Sequence, residues 1–123
     1  MTKQKQVGDK GETLAEKYLR KKGYKILERN FQSYFGEIDI IAQDKGQIVF
    51  VEVKTKTGTG FGLPEEEFGF LKQKRLFRAI QSWIWKNKLK NENWRVDLIV
   101  INLSKDLKNS EIRHYEYVDL PNF

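Results

Sequence analysis

At 123 residues the chain has the length of a single domain, long enough for one sizeable core. Hydrophobic residues at 39% and aromatics at 13% exclude intrinsic disorder. The absence of cysteine excludes disulfide frameworks, thiolate zinc sites and cysteine nucleophiles. A single histidine, His114, leaves no His-rich metal site, so any catalysis has to rest on carboxylates, lysine and a bound cation. Lys and Arg total 23 against 17 acidic residues, a net +6, and this charge is not evenly spread. Residues 1–30 carry nine basic and four acidic groups and residues 58–94 carry seven and four, whereas residues 31–57 carry three and four. A basic surround on a mildly acidic centre suits a site that holds a cation and attracts phosphates. The first ten residues have no apolar core of the signal-peptide kind, and no apolar run approaches the roughly 18 residues of a membrane span. A cytoplasmic protein without a membrane partner is expected.

A helix is expected from about Asp9 to Lys22, with Leu14, Ala15, Tyr18 and Leu19 as its apolar stripe and Gly23 as its stop. Glu12 falls at the edge of that stripe, beside Ala15 and Leu19, where a carboxylate reaches toward a neighbouring sheet; Glu16 points further outward. A strand over Tyr24–Phe31 and a turn near Gln32–Tyr34 lead to a second strand over Gly36–Ala42. The turn signal Asp44-Lys45-Gly46 joins it to a third, over Ile48–Lys54 and extending toward Lys56, so three antiparallel strands form a meander. Gly58, Gly60 and Gly62 read as a loop. Pro64 and the acids Glu65, Glu66 and Glu67 read as the start of a second helix that continues through Phe70, Phe77, Ile80 and Ile84. Lys86, Lys88 and Lys90 close this helix, and only one of Trp83 and Trp85 can face the core. Trp94–Ile101 is a strand, and Ile112–Val118 an edge strand. The order αβββαββ predicts an α/β fold, a mixed sheet flanked by helices in one domain spanning 1–123, with its core at about 7–101 and an edge strand and tail at 102–123.

Glu52 and Lys54 share one strand face, while Val51 and Val53 point to the other. With the hairpin turning on Lys45-Gly46, residues whose numbers sum to 91 face each other, and Asp39 lies opposite Glu52. Two like charges in that position repel unless something neutralises them, and Mg²⁺ takes such carboxylates readily. Lys54 on the same face can offset charge that develops on a phosphate. A strand this apolar is buried on both faces, and buried acids need partners. Arg95 and Asp97 share a strand face and are read as a structural pair.

The succession Gly8-x-x-Gly11-Glu12-x-x-Ala15, Gly23-Tyr24, Arg29-Asn30, Gly36-Glu37-Ile38-Asp39 and Val49-Phe50-Val51-Glu52-Val53-Lys54, continuing through Phe61-Gly62, Lys72 and Arg95-x-Asp97, closely resembles the YraN-like family of small bacterial proteins. That family is a branch of the PD-(D/E)XK nuclease superfamily, similar to archaeal Holliday-junction resolvases. The resemblance implies a restriction-endonuclease-like fold, Asp39, Glu52 and Glu12 as ligands of Mg²⁺ or Mn²⁺, and Lys54 as the catalytic lysine. It also implies hydrolysis of phosphodiesters in structured or branched DNA, and junction resolvases of this kind work as two-fold homodimers. From the residues themselves, Lys72, Lys74, Arg75 and Arg78 of the second helix are candidates to track a nucleic-acid backbone or to form a solvated helix face, and Arg29 and Lys56 are further candidate nucleic-acid contacts. Two departures stand out: Gln32 and Lys56 occupy positions where relatives commonly carry Arg, and Lys56 lacks the bidentate fork that suits phosphate. They favour, as an alternative, a nucleic-acid-binding module that retains the fold without cutting.

Overall fold

The computed structural model describes residues 2–58, 68–90 and 93–120. Helix α1 spans Lys3–Lys21, and its N-terminus is capped by Thr2, whose hydroxyl accepts from the Lys5 amide at 3.1 Å. The helix begins six residues before the expected start at Asp9. Gly8 and Gly11 lower helix propensity in this stretch, and packing against the sheet overrides them. At the other end Gly23 (φ 96°) takes the left-handed position, with Gly23 N–H donating to Arg20 O and Tyr24 N–H to Leu19 O. This reverse turn satisfies the carbonyls of the last helical turn.

Strands β1 (Lys25–Gln32), β2 (Glu37–Asp44) and β3 (Gln47–Thr57) form the antiparallel meander. Helix α2 (Phe70–Lys86) then carries the chain to β4 (Trp94–Leu103), which runs parallel to β3, and β5 (Ser110–Tyr115) pairs antiparallel at the edge. The five described strands lie in sequence order in one mixed sheet; β3, at its centre, is buried through its middle and β4 over most of its length. Ala15 and Leu19 of α1 pack with Val49, Val51 and Ile99 on one face. Leu76, Ala79, Ile80 and Trp83 of α2 pack with Phe50, Val96 and Leu98 on the other. The layers are helix, sheet, helix, and the order αβββαββ among the described residues is that of an α/β fold of restriction-endonuclease-like type.

Three expectations change. Helix α2 starts at Phe70 behind Gly69, so it does not run unbroken from Pro64; the stretch Pro64–Glu67 and the glycines at 60 and 62 lie outside the described residues. Phe70 is 60% exposed, and Leu76 and Ala79 stand in the core stripe instead. The helix ends at Lys86, since Lys88 takes a left-handed φ of 54° and Leu89 N–H closes the turn on Ile84 O, leaving Lys88 and Lys90 beyond it. Trp83 is buried and Trp85 exposed. No helix among the described residues is long and apolar enough to cross a membrane.

Candidate functional site

The β2–β3 hairpin turns on Lys45 (φ 50°) and Gly46 (φ 83°), a pair of left-handed residues that matches the twist of the strands. Its ladder follows the expected register from Asp44–Gln47 to Ile40–Val51 and stops there. Around Asp39 the alternation of β2 slips: Ile38 and Ile41 join the α2-side core, Ile40 and Ala42 the α1-side core. Directly across on β1, between the Arg29–Ile40 and Phe31–Ile38 pairs, Asn30 adopts φ 54°. Asparagine tolerates this conformation better than most residues. Beyond the end of the ladder Asp39 Oδ2 accepts from the Val53 amide at 2.8 Å, so a side chain replaces the missing backbone partner.

Asp39 and Glu52 are left as close neighbours lining the same clefts, each carboxyl in the field of the other. Burial, then the neighbouring Glu52 charge, push the Asp39 carboxyl up to about 7. Burial likewise raises Glu52, against the opposing charges of Lys72 and Lys54. Two carboxyls this close cannot both ionise cheaply without a cation. Lys72 of α2 supplies one, its Nζ standing 2.6 Å from Glu52 Oε1. Lys54 follows Glu52 on the same strand and lines the same cleft.

Helix α1 brings in Glu12. A Cβ on Gly11 would sit 1.8 Å from Thr55 Oγ1, so only glycine lets the helix cross β3 this closely. The next residue then reaches the acid pair, where burial and Asp39 raise the Glu12 carboxyl to about 6 in spite of Arg29. Oxygens of Glu12, Glu37 and Asp39 lie within 4.8 Å of one another. With its amide turned to donate, Asn30 bridges Glu12 Oε1 at 2.8 Å and Glu37 Oε1 at 3.0 Å. Glu37 was absent from the expected ligands; its signal was the two-residue spacing Glu37-x-Asp39 on one strand. These are hard oxygen donors in a crowded, half-buried position, a set that suits Mg²⁺ or Mn²⁺.

A cleft of about 540 Å³ opens on the α1 side, lined by Glu12, Asp39, Glu52, Lys54 and Lys72 among others. A second, of about 380 Å³, opens on the α2 side between Gly36, Arg75, Glu37 and the same Asp39 and Glu52. Of the residues expected to contact nucleic acid, Lys72 sits within the acid site, and Arg29 reaches Glu12 at 3.6 Å and Glu16 at 3.3 Å. Lys74 and Arg75 lie on α2, and Lys56 on the last turn of pleat in β3.

A separate polar cluster ties β5 to β4. Asp97, fully buried, accepts from Arg95 Nε at 2.9 Å and the Tyr117 amide at 3.3 Å, and pairs with His114 Nε2 at 2.7 Å. Arg95 Nη2 also donates to the Tyr24 hydroxyl at 2.7 Å. Burial works against the Asp97 charge, yet the hydrogen bonds from His114 and Arg95 hold its carboxyl below the ordinary range. Ligand atoms of Asp97, His114 and Glu116 are close enough for one ion, but Asp97 is already supplied with donors. The pairing of Arg95 with Asp97 is thus part of a buried clamp, which also takes in His114.

The sequence profile described as "Uncharacterised protein family UPF0102" matches residues 11–101, the stretch that holds Glu12, Asp39, Glu52 and Lys54. A UPF0102 protein of Caldanaerobacter subterraneus is 49% identical over 102 residues, covering 83% of this chain and 84% of the relative. One of Persephonella marina is 49% identical over 94 residues, covering 76% and 81%. One of Carboxydothermus hydrogenoformans is 46% identical over 114 residues, covering 93% and 95%. The chain belongs to the UPF0102 family.

Proposed function

We propose that the chain is a metal-dependent nuclease-type domain that binds structured or branched nucleic acid, DNA in the first instance, in the cytoplasm and hydrolyses its phosphodiester bonds. The reading places it with the PD-(D/E)XK nucleases and archaeal Holliday-junction resolvases that its motifs resemble. The observation that carries it is the adjoining carboxyls of Asp39 and Glu52 at the end of a ladder, with Lys54 and Glu12 around the same cleft. Asp39, Glu12 and Glu37 would hold Mg²⁺, with Glu52 joining them once Lys72 releases it. A bound divalent cation supplies Lewis-acid stabilisation of phosphate charge and a more acidic water. Lys54 places an ammonium where negative charge grows on the phosphate in the transition state. Arg29 and Asn30 hold Glu12 and Glu37 in place.

Cleavage of junction and flap DNA in Mg²⁺ or Mn²⁺ tests this. Glu52→Gln and Lys54→Met are expected to lose at least about a hundredfold in rate while binding persists, in line with removal of a transition-state charge partner. Cleavage unchanged in both variants overturns the reading. The Lys72–Glu52 contact at 2.6 Å favours a second reading, a DNA-binding module in which the lysine permanently neutralises the acid. Calorimetric titration with Mn²⁺ separates the two: DNA affinity that falls steeply with salt, without metal binding, selects the second.

A further inference from the structure

The β1–β2 turn stands at the mouth of the α2-side cleft. It is tightly built: Ser33 N–H donates to Gly36 O at 2.9 Å, and Ser33 Oγ donates to the same oxygen at 2.8 Å. The same hydroxyl accepts from the amides of Phe35 at 3.2 Å and Gly36 at 3.1 Å. At the tip of this rigid loop Tyr34 is 97% exposed and Phe35 is 45% exposed, their rings edge to face at 5.4 Å. Folding gains nothing from a tyrosine held out in water. Alongside, the Arg78 guanidinium lies 5.5 Å from the Phe35 ring centre. Gly36 faces Arg75, whose Cβ would be 3.4 Å from a Cβ on that glycine. The cleft then runs from Gly36 and Arg75 down to Asp39 and Glu52.

Aromatic faces beside guanidinium groups are the chemistry that takes a nucleobase together with its phosphate, since rings stack on any base and arginine pairs with the backbone. A base inside a duplex has no free face to offer. The turn's hydrogen bonds fix the backbone that carries the two rings, which reduces the ordering cost of binding. We propose that Tyr34 and Phe35 form a stacking platform for an unpaired nucleobase, with Arg75 and Arg78 on the adjoining phosphates, so that the substrate class is nucleic acid with an unstacked base next to the acid site. This rests on the nucleic-acid reading above and adds to it a specificity element that needs no cleavage to be seen.

The test is binding of the full chain, in EDTA, to a duplex with one unpaired 2-aminopurine and to the same duplex fully paired. The wild type is expected to prefer the unpaired base and to quench its fluorescence. Tyr34→Ala is expected to lose about tenfold in affinity for that duplex only, the scale of one lost base–aromatic stack. Tyr34→Trp is expected to retain it. Equal affinity of wild type and Tyr34→Ala for the unpaired duplex overturns the proposal, as does an equal loss on both duplexes or no binding to either. A change in sedimentation without a change in base preference also overturns it, in favour of contact between copies of the chain. Because the readout is metal-free, a chain that never cuts still passes or fails, and an active nuclease indifferent to Tyr34 fails here alone.

Discussion

Asp39 shows how one side chain is tuned by where a ladder ends. Its carboxyl stands at about 7 and that of Glu12 at about 6, both above the unfolded carboxylate range of about 4. The folded chain therefore binds these protons more tightly than the unfolded one. Their contribution to stability is complete below about pH 4 and is lost as pH rises through about 6 to 7. Thermal melts should show the wild type losing ground to Asp39→Asn over that interval. Millimolar Mg²⁺ at pH 8 should then raise the wild-type melting temperature and leave Asp39→Asn nearly unmoved. Asn is the suitable replacement, since its side-chain oxygen can still accept from Val53 N–H, whereas Ala would leave that amide without its carboxylate partner.

Among the elements, the crossing of α1 over β3 has the least tolerance. The Cβ of Gly11→Ala would overlap the Thr55 side chain, so the helix must lift, at a cost of about 1–3 kcal/mol. Urea unfolding should register that loss, and the penalty should shrink in a Thr55→Gly background, where the obstructing atoms are gone. The hairpin between β2 and β3 was legible in the sequence because Lys45-Gly46 fixes both turn and register locally. The start of α2 was misread for a related reason: Pro64 and three glutamates form a strong local start signal, yet the described helix begins only at Phe70. The slip at Asp39 and the bridging of Glu12 and Glu37 by Asn30 were not legible, because they depend on the left-handed conformation of that asparagine on the neighbouring strand.

For the whole molecule, the Arg95–Asp97–His114 clamp joins the edge strand to the centre of the sheet. Asp97→Ala would leave the Arg95 charge buried without its main partner, and a loss of about 3–5 kcal/mol is expected from urea unfolding. Its pH dependence has the opposite sign to that of Asp39: the Asp97 carboxyl is held low, so its stabilisation is present above the ordinary carboxylate range and disappears on acidification. Sequence alone placed Arg95 and Asp97 on one face, but it gave no sign that His114 would close the clamp from a strand 17 residues further on.

The acids of the candidate site all come from the first 52 residues, on α1 and the meander, while the ammonium that answers Glu52 arrives on the crossover helix. Lys54 and Arg29 also lie on the meander, so Lys72 is the counter-charge that a separate piece of the chain delivers. Exchanging the half-exposed Lys72 side chain would remove the contact that holds Glu52 Oε1 and change the electrical balance of the cleft together, from a position that contributes no carboxylate of its own.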